Sequence, residues 1–241
     1  GAFECRTVDT LLVFGTARDK VVRAYTVPVA SLPGARGDGQ PITTLIDLEP
    51  GTQPVHYLAG PASSMWLLAG SGGYGFLATV EDMTSRLKGG KAFVTLNEGE
   101  TVCRPALVSG GMVVRLAAPD GSVLAPPTAP EGGDAQAALA PATQVCCVSS
   151  GGRILTFDLS DLKHQPKGGR GLMLMGLEGK DTLAGAVAYL RSVRIDGVGR
   201  GGKWRDEVLE IRSLNNARAA RGRKGRDASF GFKPLQVWRV L

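Results

Sequence analysis

The chain has 241 residues, with 28 Lys and Arg against 22 Asp and Glu for a formal charge of +6, and carries 34 Gly and 14 Pro. So many turn-forming residues, with only 6 % aromatics, point to short elements joined by many turns and away from a long-helix protein. A basic balance admits a nucleic acid, an anionic membrane or an acidic protein as partner, but no apolar run approaches the roughly eighteen residues of a membrane span and no basic-then-apolar leader opens the sequence.

Taken in chain order, residues 1–10 alternate through FECRT and read as the tail of a preceding unit. The apolar run Leu11 to Phe14 is followed by a polar turn, GTARDK from Gly15, and a second strand from Val21 to Val27. The same order returns as Met65 to Ala69, GSGGYG from Gly70 and Phe76 to Val80, and again as Gln144 to Val148, SSGGRI from Ser149 and Ile154 to Phe157. Turn residues at a constant offset between apolar runs are the signal of antiparallel hairpins. Each hairpin leads into a comparable tail: VASLPGARGDGQPITTLIDLEPG, VEDMTSRLKGGKAFVTLNEGE and DLSDLKHQPKGGRGLMLMGLEGK. Every tail holds a polar stretch, a basic glycine loop, a further strand and a glycine turn. A fourth, less regular unit has a strand in Val187 to Arg194, the turn GVGRGGK from Gly197, a strand from Glu207 to Ile211, and SLNNARAARGRKGRD in the place of the basic loop.

One repeat is therefore about fifty residues and roughly four strands long. Such a unit cannot bury its sheet faces alone, whereas several set around an axis can. The expected fold is all-β: a single propeller-like disc of about four-stranded blades over residues 1–241, with its first blade incomplete. The approximate units are 1–10, 11–64, 65–118, 144–190 and 191–241. Residues 119–143, rich in Ala, Pro and Gly, form a surface insertion.

Charge follows the repeat. Residues 191–241 hold 13 Lys and Arg against 5 Asp and Glu, a net +8, while residues 1–190 carry 15 against 17, a net −2. The recurring loops place Arg36, then Arg86, Lys88 and Lys91, then Lys163, Lys167 and Arg170, and lastly Arg218, Arg221, Arg223, Lys224 and Arg226 on one expected outer path. Long cations and close-approach glycines are what phosphate contacts require. Arg200 and Lys203 in the GRGGKW stretch, and Arg205 just after it, are further phosphate candidates, with a solvated hairpin tip as the alternative. That stretch lacks the GxxxxGK[ST] spacing of a nucleotide loop, and GSGGYG opens a strand, not a helix.

The remaining chemistry is sparse, and no catalytic or metal-ligating set is expected. His56 and His164 have no partners at ligand spacing and read as surface or turn residues. Glu81, Asp82, Asp158 and Asp161 recur before the glycine loops, where capping a turn suits them better than paired acid chemistry. Cys5, Cys103, Cys146 and Cys147 show no CxxC spacing, and the adjacent pair would face opposite sides of a strand with one of them buried. Reduced structural thiols of a cytoplasmic protein are expected. Trp66, Trp204, Trp238, Phe14, Phe76, Phe93 and Phe157 fall in strand-like runs and are expected to pack.

The strings LLVFGTARDKVVRAYTVPVASLPGARGDGQPITTL, GSGGYGFLATVEDMTSRLKGGKAFVTL and SSGGRILTFDLSDLKHQPKGGRG resemble the C-terminal domain of the bacterial DNA topoisomerase IV A subunit, a family related to the corresponding gyrase A domain. The resemblance spans essentially the whole chain and is strongest from Leu11 to Lys180. It implies a β-pinwheel with strand exchange between neighbouring blades. It also implies a domain without a catalytic centre or cofactor that binds and bends double-stranded DNA on its rim. The implied parent is a type IIA topoisomerase using ATP and Mg2+. Its other regions, the N-terminal breakage-reunion region of the same polypeptide and the topoisomerase IV B subunit, would be partners of this domain at the bacterial nucleoid. Related gyrase domains carry a QRRGGKG box; here its nearest counterparts are RLKGGKA from Arg86 and QPKGGRG from Gln165. With the PGARGDGQP loop, this favours a topoisomerase IV role: selecting the transported duplex in decatenation, chromosome segregation and relaxation of positive supercoils. A scaffold for acidic proteins is the rival reading, and an independent enzyme a distant third.

Overall fold

The computed structural model describes residues 5–16, 20–34, 39–109, 116–117, 123–124 and 142–240. Three hairpins come first in their units: β1 (Thr10–Thr16) with β2 (Val21–Pro28), β4 (Met65–Ala69) with β5 (Tyr74–Thr79), and β10 (Gln144–Ser149) with β11 (Arg153–Asp158). On its inner side each hairpin pairs with a third strand: β3 (Gln53–Gly60), β7 (Ala106–Ser109) and β13 (Leu183–Tyr189). On its outer side each receives a strand from the unit that follows it: β6 (Lys91–Thr95) on β2, β12 (Leu172–Met173) on β5, and β16 (Arg226–Asp227) on β11. The fourth sheet has β15 (Trp204–Glu210), β14 (Ser192–Val198) and β17 (Lys233–Val240), and β15 has no strand on its outer side among the described residues. A two-residue pair, β8 (Leu116–Ala117) with β9 (Val123–Leu124), stands apart. Two short helices, α1 (Val80–Met83) and α2 (Ile211–Asn215), follow β5 and β15. All the ladders are antiparallel, and with strands passed from unit to unit the fold is a β-pinwheel.

The exchange explains why β1, β4 and β10 read as unbroken apolar runs. Each is central in its sheet with both faces covered, β4 and β10 by the blades on either side and β1 by one blade and by residues of its own unit, so the period-2 alternation of a half-wet strand is lost. Leu12, Phe14 and Ala24 on one face of the first sheet pack with Trp66, Leu68 and Phe76 of the second. Leu67 and Ala69, on the other face of β4, meet Cys147, Leu155 and Phe157 of the third. Cys146, Val148 and Ile154 continue to Val193, Ile195 and Leu214 of the fourth. The free face of the first sheet, with Val13, Tyr25 and Val27, is covered by the chain's own Ile42, Leu45 and Ile46. Each of the large side chains so buried contributes about 1.5–3 kcal/mol, so the interfaces between blades hold most of the stabilisation.

Several details depart from the sequence expectation. Residues 5–9 make a turn, not a strand tail, because the Asp9 carboxylate accepts from the Arg6 backbone N–H (2.8 Å) and side chain (3.2 Å). Val187 to Arg194 is not one strand: β13 ends at Tyr189 and β14 begins at Ser192. Cys146 and Cys147 do face opposite sides, but both are fully buried, one in each interface. All four thiols are free. Phe14, Trp66, Phe76, Phe93 and Phe157 are core residues, whereas Trp204 is 37 % exposed on the last sheet. Most of 119–143 lies outside the described residues.

Candidate nucleic-acid interface

The basic glycine loops are the crossings that carry the exchanged strands. Because β6, β12 and β16 are the outer strands of their sheets, the loops preceding them lie along the perimeter. The backbone fixes them there. Lys163 O accepts from Leu77 N–H (3.0 Å), Gln165 N–H donates to Leu77 O (2.8 Å), and Gly169 exchanges bonds with Phe93 O (2.8 Å) and Thr95 N–H (3.0 Å). In the next crossing Thr156 bonds in both directions, with Ala217 O and Ala219 N–H, each at 3.0 Å. In the first, Ser85 N–H donates to Thr26 Oγ1 (2.8 Å) and Lys88 O accepts from Asp47 N–H (3.1 Å).

Close packing, not only exposure to a ligand, dictates glycine in these loops. At Gly168 (φ 70°) an added Cβ would lie 2.1 Å from Phe93 O, and at Gly225 (φ 70°) 2.4 Å from Ile154 O. A left-handed backbone pressed onto a neighbouring carbonyl admits no side chain. Gly89, by contrast, has open space around it.

The glycines also sort the cations. Arg86, Lys88, Lys163, Lys167 and Arg223 are exposed and have no ion pair among the described residues. Those that follow a glycine and start, or lead directly into, the exchanged strand are tied down. Lys91 Nζ donates to Asp82 O and lies over the Phe93 ring (5.4 Å). Arg170 pairs with Glu100 (3.0 Å) and stacks on Tyr74 (4.0 Å). Arg226 donates to Asn216 O (3.3 Å). In the last loop Arg218 is bound to Asp158 and Gln144, Arg221 NH1 donates to Met173 O (2.6 Å), and Lys224 pairs with Glu178. Arg200 and Lys203 are exposed but sit in the β14–β15 turn, the position of 70–73 and 150–152 in earlier blades, and so not in a crossing loop; Arg205 is exposed at the start of β15. Arg36 lies outside the described residues.

The acidic residues act as anchors for the crossings. Thr79 and Asp82 form a reciprocal capping box on α1, and Asp82 Oδ2 also contacts His164 Nε2 of the next unit (2.5 Å). Burial alone would raise the Asp82 pKa, but hydrogen bonds from His164 and Thr79 outweigh it and hold the carboxyl below its ordinary value. Gln144 and then Arg218 lower Asp158, and Lys224 lowers Glu178.

Two features were not read from the sequence. Arg153 donates through Nε to Lys224 O (3.0 Å) and through NH2 to Gly225 O (2.7 Å), holding the last basic loop; nothing local in the turn that precedes it signals these partners about seventy residues away. His56 is not a surface residue: it stands on β3 with Nε2 against Val102 O (3.1 Å), and burial lowers its pKa.

A family model described as the DNA gyrase C-terminal domain, beta-propeller, matches residues 143–188. The DNA topoisomerase 4 A subunit of Neisseria gonorrhoeae is 33 % identical over 205 residues, 85 % of this chain and 23 % of that protein. The Pseudomonas aeruginosa counterpart is 28 % identical over 220 residues, 89 % of this chain and 25 % of its own length. The chain thus spans about a quarter of the length of these curated relatives. Among solved structures, the E. coli ParC C-terminal domain superposes with a TM-score of 0.70 at 24 % identity, covering 97 % of this chain and 82 % of that one. A DNA gyrase A C-terminal domain superposes at 0.62 and 15 % identity, over 96 % and 65 % of the two chains. With the repeated hairpins, the strand exchange and these matches together, the chain belongs to the family of C-terminal domains of the topoisomerase 4 A subunit, related to those of gyrase A.

Proposed function

We propose that the chain is a non-catalytic module that binds duplex DNA along its perimeter and bends it, within a type IIA topoisomerase. The supporting observation is that three successive crossing loops present Arg86 and Lys88, Lys163 and Lys167, and Arg223 outward without ion pairs among the described residues, at one topological position in each blade. A convex path of cations neutralises successive phosphates only if the duplex curves to follow it. That deformation costs on the order of 1–6 kcal/mol for a site of tens of base pairs, offset by the additional phosphates that the curved duplex brings within reach. No base-reading helix accompanies the path among the described residues, so the recognition is of phosphate geometry with weak sequence preference. In the parent enzyme, the reading assigns ATP and Mg2+ use to other regions, with the breakage-reunion region and the B subunit as partners. This module would then help to select the transported duplex for decatenation and relaxation.

The test is binding of the 241-residue chain to an end-labelled duplex of about 40 base pairs across a salt series, reading affinity and end-to-end distance together. Affinity that falls steeply with salt while the ends approach supports the proposal. Binding without a change in distance removes bending, and no binding at low salt favours a scaffold for acidic proteins.

A further inference from the structure

The inner strands of all four blades meet around a cavity of about 370 Å³, lined by none of the crossing-loop cations, with His56 of β3, Arg104 ahead of β7, Leu183 to Ala186 of β13 and Lys233 of β17 among its walls. Its lining contains three basic side chains, His56, Arg104 and Lys233, and no carboxylate among the described residues. Arg104 is the unusual member. Its guanidinium lies 4.2 Å from the centre of the Trp238 ring and has neither an ion pair nor a hydrogen-bond partner among the described residues. The aromatic face holds the cation flat and leaves its N–H groups to the cavity. Desolvation has brought its pKa down to about 10, so it is still charged at neutral pH.

The rest of the lining suits an anion. Ser71 Oγ accepts the Thr101 N–H (2.9 Å) and keeps its own proton to donate. His56 gives its Nε2–H to Val102 O, so the nitrogen that takes up a proton is Nδ1. The carboxylates beside the lining are engaged elsewhere: Glu100 by Arg170 and the Asn97 N–H, Asp181 by Ser150 and the Gly151 and Thr182 N–H groups, and Asp196, which accepts from Trp238 Nε1–H, by Arg194. A half-buried guanidinium without a counter-charge keeps its donors free, and a compact anion carrying several oxygens supplies the charge while using the fork of donors.

We infer that this central cavity is a binding site for a small phosphate anion, a diphosphate group held by Arg104, Lys233 and Ser71 beside His56, separate from the DNA path on the perimeter. A free diphosphate and the terminal group of a nucleotide share this chemistry.

The test is titration of the intact chain with inorganic pyrophosphate, and in parallel with ADP, followed by the ring signals of its two histidines. Saturable movement of the His56 signals with His164 unmoved is expected. Weaker binding of ADP assigns the site to the free anion, and equal or tighter binding assigns it to the nucleotide. Arg104→Gln should weaken binding at least tenfold. Lys233→Glu, which changes only an exposed side chain and so preserves the fold, should do the same. Lys88→Gln combined with Lys167→Gln should leave it unchanged. The inference is overturned if His56 does not respond, if both histidines drift together without saturation, or if Lys233→Glu binds as the parent does.

Discussion

The division of the loop cations into free and tied groups gives a quantitative expectation. Five perimeter side chains, Arg86, Lys88, Lys163, Lys167 and Arg223, are exposed and without ion pairs among the described residues. If each neutralises one phosphate, the slope of log affinity against log salt is about −4.5, at −0.9 per contact. Replacing Lys88, Lys167 and Arg223 by Gln removes one cation from each loop and should flatten the slope by about 2.7. Extrapolated from a common value at 1 M salt, this is a loss on the order of 500-fold at 0.1 M. The comparison is a second triple, Lys91→Gln, Arg170→Gln and Arg226→Gln, which removes equal charge from side chains already held by Asp82 O, Glu100 and Asn216 O. That triple should lower the melting temperature while changing the slope by less than one. Fluorescence anisotropy over 50–300 mM salt measures both. Equal flattening by the two triples would refute the reasoning, since it would mean that net charge and not loop position governs binding.

Three further outcomes follow from the geometry. Gly168→Ala should cost about 1–3 kcal/mol in urea unfolding, from a strained positive φ and a Cβ placed 2.1 Å from Phe93 O. Gly89→Ala, in open space, should be neutral or stabilising by up to about 1 kcal/mol, and similar losses for the two would contradict the packing role. Asp82 has a pKa below its ordinary value in the fold, so its contribution is present above the unfolded-state pKa of about 4 and is lost as pH falls through the lower folded value. Asp82→Asn should therefore cost about 1 kcal/mol at neutral pH through the lost cap, and its melting curve should converge on that of the parent below pH 4; parallel curves down to pH 2.5 would exclude the pairing. Cys103, Cys146 and Cys147 are buried, with desolvation pushing the Cys103 thiol up to about 12 and raising the other two as well. A thiol reagent should modify Cys5 alone in the native chain and all four in denaturant, and fast reaction at two sites without denaturant would argue against the interfaces described.

The hairpins and the disc were legible because turn residues between apolar runs state their meaning locally. The identity of a strand's neighbour was not. Period-2 alternation reports faces and is silent on which sheet a strand joins, and β12 and β16, two residues each, leave almost no periodic trace. That is why Val187 to Arg194 read as one strand although it spans the end of one blade and the start of the next. The recurring cations were equally visible, yet composition could not show that Lys88 and Lys167 project while Lys91 and Arg170 are held, because the difference lies in what each meets across a crossing. The role of His56 is hidden for the same reason: its partner, Val102 O, is 46 residues away.

The strand exchange has a mechanical consequence. A force applied to a crossing loop passes into β6, β12 or β16, each gripped by the preceding sheet while its chain continues into the following one. The load is carried by several backbone hydrogen bonds at once and handed from blade to blade around the circumference. A conventional ring of separate sheets would meet the same pull only with side-chain contacts between blades, which can give way singly. Blades joined in this way cannot separate unless a strand is stripped from its sheet, so a stiff polymer drawn against the edge meets a linked series and not a stack of loose sectors.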